Sequence, residues 1–139
     1  MALFGAPKAT TINESISAFL SILSIPAKQH QCRYVCLQAY LPPSPETDIA
    51  LNHLRLAIRD RYNVATTVGY GPRFLHSTGQ LHKGDAGRGL FIQLTCDDTE
   101  EATIPNDLSS RNSSMSFGIL KKAQASGDYQ AVSYTHLRA

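Results

Sequence analysis

The amino-acid sequence predicts an α/β fold with a mostly parallel sheet, from three observations. Residues 34–41 form a short, almost continuously apolar run bounded by prolines, the pattern of a strand covered on both faces. Residues 45–61 carry apolar side chains at helical spacing, and residues 64–68 and 89–95 return to strand-like runs. Strand, helix and strand over this length make a βαβ unit, whose crossover is expected to be right-handed.

Each element has its own local signals. Thr11 with Glu14 three residues on is a capping box, which predicts a helix start. Ile12, Ile16, Phe19, Leu20 and Leu23 then fall on one helical face, and Pro26 is expected to stop the helix. Ser44 suits an N-cap, Pro45 the first helical position, and Glu46 the positive end of the helix dipole. This second helix is expected to run to about Arg61, with Leu51, Leu54 and Ile58 on its inner face and Arg59 and Arg61 in its last turn. The polar stretch 97–114 reads as an irregular or mobile loop. Residues 116–125 return to helix, and Gly127 is expected to end it.

The chain has 139 residues, enough for one core but not two. With 42% hydrophobic and 17% charged residues it is globular in composition. A net charge of +2 gives no electrostatic case for a nucleic-acid or membrane partner. No apolar stretch reaches the roughly 18 residues of a membrane span. Residues 1–8 lack the pattern of a signal peptide, so a cytoplasmic location is expected. Cys32, Cys36 and Cys96 do not form a secreted disulfide framework. Cys32 and Cys36, four apart in an apolar strand-like run, read as buried small hydrophobes in preference to metal ligands.

The informative segment is 68–89, which is glycine-rich, carries two histidines and follows a strand. Ligands of open α/β sheets bind beyond the carboxyl ends of strands. Arg73, His76, Ser77, Thr78, Gln80, His82 and Lys83 are therefore candidates to hold a polyhydroxylated or phosphorylated ligand. Gly69 and Gly71 lack the third glycine of a dinucleotide fingerprint, and no phosphate-binding P-loop is present. Neither cysteine nor carboxylate completes a zinc set with His76 and His82. Taken alone, His76 reads as a hydrogen-bonded histidine at the edge of an element. Facing a cleft, the same imidazole could move a proton to or from a sugar oxygen. Lys121 and Lys122 read as solvated helix lysines unless the helix start faces a cleft.

The runs AYLP (39–42), LRLAIRDR (54–61), VATTVGYGPRFLHSTGQLHKG (64–84) and FGILKKAQASGD (117–128) belong together. They resemble the C-terminal part of the glucose-6-phosphate isomerase half of bacterial bifunctional transaldolase/glucose-6-phosphate isomerase proteins. The similarity covers about 34–130, and its longest run is 64–84. It implies a sugar-isomerase (SIS) domain, truncated, with a flavodoxin-like three-layer sandwich. It further implies interconversion of glucose 6-phosphate and fructose 6-phosphate by ring opening and an enediol, with no metal or organic cofactor. His76, in Leu-His-Ser-x-Gly-Gln, matches the isomerase histidine motif and becomes the candidate ring-opening acid/base. Lys121 is the preferred counterpart of the motif lysine, with Lys122 the other choice. Arg73, Ser77 and Gln80 are candidate substrate-binding residues.

The chain also departs from the family. The glutamate base has no clear counterpart, since Glu14 and Glu46 read as helix-start residues. The phosphate-binding serine/threonine loop belongs to the other sugar-isomerase lobe. The family's Lys-Gly-Gly-Pro-Asn is replaced at 83–87, and residues 97–116 form a longer loop. Residues 1–131 are expected to form a single domain, and 132–139 read as a non-native tail. The expected partners are a sugar phosphate, the rest of a parent isomerase chain and a second subunit. Three functions follow: a lobe of an isomerase, inactive alone; a non-catalytic sugar-phosphate sensor using Arg73, Ser77 and Lys83; or a structural α/β domain without ligand contacts.

Overall fold

The computed structural model describes residues 11–24, 34–84, 86–107 and 112–136. The expected roles of Pro26 and Cys32 fall outside these. Helix α1 (Ile12–Leu20) begins with the capping box its sequence announces. The Glu14 amide donates to Thr11 Oγ1 at 3.2 Å, and the Thr11 amide donates to the Glu14 carboxylate at 3.1 Å. A 3-10 turn, Ser21–Ser24, follows.

Strand β1 (Tyr34–Tyr40) is buried along all but its first residue. Helix α2 (Pro45–Tyr62) starts where Ser44 Oγ accepts from the Thr47 amide at 3.1 Å, and ends at Asn63 in the left-handed region (φ 50°). Asparagine is one of the few residues that adopt this conformation at low cost. Leu51 and Ile58 are buried on the inner face of α2, and Leu54 packs against the core beside them. Strand β2 (Ala65–Tyr70) pairs parallel to β1, and β3 (Gly89–Thr95) pairs parallel to its other side. The order is β2-β1-β3, so the chain is α/β with a three-stranded parallel sheet.

Alternation along β1 sends its side chains in two directions. Val35 and Leu37 join Leu20, Ile58 and Ile92 in one core, with residues of α1 and α2 packed around them. Tyr40 joins Phe74 and Ala125 in a second. Between β2 and β3 lie a 3-10 turn (Arg73–His76) and α3 (Thr78–Gly84).

The segment 97–114 is less irregular than its composition suggests. Thr103–Ile104 (β4) pairs antiparallel with Met115–Ser116 (β5), and the Phe117 amide donates to the Ala102 carbonyl at 2.9 Å. Asn106 takes the place of further strand pairing, its side-chain oxygen accepting from the Ser114 amide at 3.0 Å.

Helix α4 spans Phe117–His136 and runs straight through Gly127. The expectation that Gly127 ends it is overturned. A Cβ at Gly127 would meet nothing within 4 Å, so this glycine sits on the open side of the helix. A mid-helix glycine costs only about 1 kcal/mol. Ala125, Asp128 and Val132 are all buried, at spacings of three and four that form one inner stripe. That burial carries the helix onward, past the point where the tail was expected to begin.

Leu37 is 1% exposed at the centre of the first core. Leu37→Ala is expected to destabilise the fold by about 2–5 kcal/mol, read as a lower urea midpoint with an unchanged slope.

Candidate functional site

At the carboxyl ends of β1 and β2 an open cleft of about 330 Å³ is lined by Leu41, Tyr70, Gly71, Arg73, His76 and Gln124, among others. The turn after β2 builds one side of it. Its Gly71 amide donates to the Ala39 carbonyl at 2.9 Å, extending the strand pairing by one bond. Only glycine fits here, because a Cβ would lie 2.4 Å from Cζ of the Tyr40 ring. Phe74 then turns inward against Tyr40, with ring centroids 5.9 Å apart and the planes at 77°. With Phe74 anchored, Arg73 and His76 are left exposed at the cleft. Tyr70 donates its hydroxyl to Asp48 of α2 at 2.7 Å.

Of the residues singled out in the sequence, Arg73 and His76 come together. Ser77 does not line the cleft, and its hydroxyl donates back to the Phe74 carbonyl at 3.2 Å. Gln80 is exposed on α3, also off the cleft. Lys121 stands on the same carboxyl edge of the sheet, beyond β3. Its ammonium donates to the Cys96 carbonyl at 3.3 Å and pairs with Asp98 at 2.5 Å. Gln124, one helical turn further along α4, reaches the cleft itself. Lys122 makes an exposed pair with Asp97 at 3.3 Å, a contact of small energetic weight.

Two other sequence candidates face inward. His82 is 2% exposed, with its Nδ1 at 3.7 Å from Cys36 Sγ. The rings of Tyr34 and Phe91 lie 5.9 and 5.4 Å from it. It therefore plugs the core rather than facing solvent. Lys83 forms an ion pair at 2.7 Å with Asp128, whose side chain is 2% exposed. The other carboxylate oxygen of Asp128 accepts the Tyr40 hydroxyl.

Sequence reasoning missed Tyr40, Tyr70, Gln124 and Asp128. Asp128 carried a usable signal, since it continues the inner stripe of Ala125 and Val132. Treating Gly127 as a helix end hid it. Among the described residues, no group of three or more His, Cys, Asp or Glu is placed to hold a metal ion. No described helix is long and apolar enough to cross a membrane.

Comparison with protein-family models, curated proteins and solved structures returns no match.

The buried groups set an alkaline limit on stability. Burial pushes the Cys36 thiol up from 9.0 to about 11. Burial first, and then the hydrogen bond and charge of Asp128, raise the Tyr40 phenol well above its ordinary 10.0. Both groups keep their protons in the folded chain at pH values where the unfolded chain releases them. The Cys36 contribution is therefore complete below about pH 9 and is lost as the pH rises towards 11, while that of Tyr40 is complete below about pH 10 and is still being lost beyond pH 11. Melting temperature against pH is expected to fall across this window. In Cys36→Ala the fall is expected to be shallower and to begin nearer pH 10, where unfolded Tyr40 starts to ionise.

Proposed function

We propose that this chain is a sugar-isomerase lobe of a glucose-6-phosphate isomerase, with a flavodoxin-like arrangement of helices on both faces of its sheet. One observation carries the reading. The run most similar to that family, 64–84, forms β2 and the turn that presents His76 and Arg73 at the carboxyl edge of a parallel sheet, where α/β folds bind ligands. The two separate cores, one with α1 and α2 and the other with Phe74 and Ala125, support the layered arrangement.

In this reading His76 exchanges a proton with the ring oxygen of glucose 6-phosphate. Breaking the ring bond leaves electrons on that oxygen, and an imidazolium beside it supplies the proton. Arg73 holds the sugar oxygens and offsets the negative charge that develops on the enediol. A carboxylate must then carry a proton between C2 and C1. No carboxylate lines the cleft among the described residues, and Asp48 beside it is engaged by Tyr70. In this reading the base and the phosphate-binding groups come from outside the described residues, across a cleft completed by the rest of a cytoplasmic parent chain or a second subunit. Lys121, one turn from Gln124, reaches a sugar oxygen only after leaving Asp98. Ser77 and Gln80 do not line the cleft.

These residues alone are expected to show no turnover of fructose 6-phosphate in a coupled assay and no melting shift with glucose 6-phosphate. In a longer isomerase chain containing them, His76→Ala is expected to lower turnover by about 10²–10⁴-fold. Turnover by this chain alone would sink the divided site. Micromolar binding without turnover would favour a sugar-phosphate sensor, although Lys83, one of its three expected anion ligands, is already paired with Asp128. Unchanged turnover in His76→Ala would leave a structural domain.

A further inference from the structure

We propose that the buried Tyr40–Asp128–Lys83 network is the positioning device of the cleft, fixing where His76 and Arg73 stand without touching what binds there. The inference concerns the empty chain and holds whether or not the isomerase reading does.

The three partners come from β1, α4 and α3, the elements that surround the 71–76 turn. The Tyr40 ring is the surface on which that turn rests. Gly71 approaches it so closely that a Cβ would lie 2.4 Å from the ring, and Phe74 meets it edge-on at 5.9 Å. Gly71 lines the cleft, and Phe74 lies between Arg73 and His76 in sequence. The height of the Tyr40 ring thus sets the height of both functional side chains. Its hydroxyl is held by one oxygen of Asp128, and the other oxygen is held by Lys83 at 2.7 Å. Lys83 lies in the last turn of α3, which leaves the same turn at its far end. Asp128 lies one turn after Gln124, the contribution of α4 to the cleft. One carboxylate therefore joins the ring beneath the 71–76 turn, the helix behind that turn and the helix that supplies Gln124.

Packing alone does not call for a carboxylate there. Asp128 continues a stripe formed by Ala125 and Val132, which an apolar side chain would fill without the penalty of burying a charge. What a carboxylate adds is direction. Its two oxygens take one hydroxyl and one ammonium, and the elements carrying them cannot slide past one another without breaking a charge-assisted hydrogen bond.

The test is nuclear magnetic resonance of the ligand-free chain in three variants. Tyr40→Phe keeps the ring and removes only the hydroxyl. Lys83→Met removes the cation, and Lys83→Arg restores it. The ring resonances of His76 and the side-chain resonances of Arg73 and Gln124 are expected to shift in Tyr40→Phe and Lys83→Met, while those of Ile16 and Ile58 in the opposite core stay in place. In Lys83→Arg the shifted resonances are expected to return towards their original positions. A lower melting temperature with the His76 and Arg73 resonances unmoved would make the network merely structural and overturn the proposal. Shifts spread evenly over both cores would also overturn it. Should Lys83→Met fail to fold, Tyr40→Phe decides the matter.

Discussion

A carboxylate with its side chain 2% exposed is the constraint around which the second half of this molecule is arranged. An isolated charge at that depth would cost several kcal/mol and would take up a proton instead. The two oxygens of Asp128 are satisfied by a lysine ammonium on one and a tyrosine hydroxyl on the other. Both partners must be delivered to one point from distant parts of the chain. Tyr40 comes from the last residue of the central strand, and Lys83 from the short helix between β2 and β3. The path of the chain from 71 to 83, which includes the cleft, has to satisfy that requirement.

The two sides of the sheet solve different problems. On one, Val35, Leu37, Ile58, Ile92 and Leu20 make an ordinary apolar core whose stability comes from area removed from water. On the other, Tyr40, Phe74 and Ala125 pack beside buried polar groups: His82 against Cys36, and Asp128 with its two partners. Polar interactions are directional where apolar ones are not. The apolar side supplies stability, and the polar side fixes geometry beside the cleft.

Local signals were the most legible part of the sequence. The capping box at Thr11, the Ser44–Pro45 start of α2 and the buried run of β1 depend on neighbours within a few residues, and each lies where its pattern places it. His76 and Arg73 were legible as candidates because a glycine-rich turn after a strand is where α/β sheets bind ligands. What was not legible depended on partners far away in sequence. His82 was a ligand candidate because it lies in the glycine-rich segment after a strand, and its burial is not visible in the sequence. Lys121 could be placed on a helix but not paired with Asp98, which belongs to a loop of unremarkable composition. Gly127 looked like a stop because glycine ends many helices, whereas the buried stripe through Asp128 and Val132 outweighs its weak helix propensity.

The central claim is that Lys83 compensates the buried Asp128 charge and that the two act as one unit. A double-mutant cycle with Lys83→Met, Asp128→Asn and the combined variant, read by urea denaturation, tests it most directly. A coupling of about 1–3 kcal/mol is expected, because each single change strands the other group and the double change strands neither. Single-variant losses that simply add, within about 0.5 kcal/mol, would contradict it.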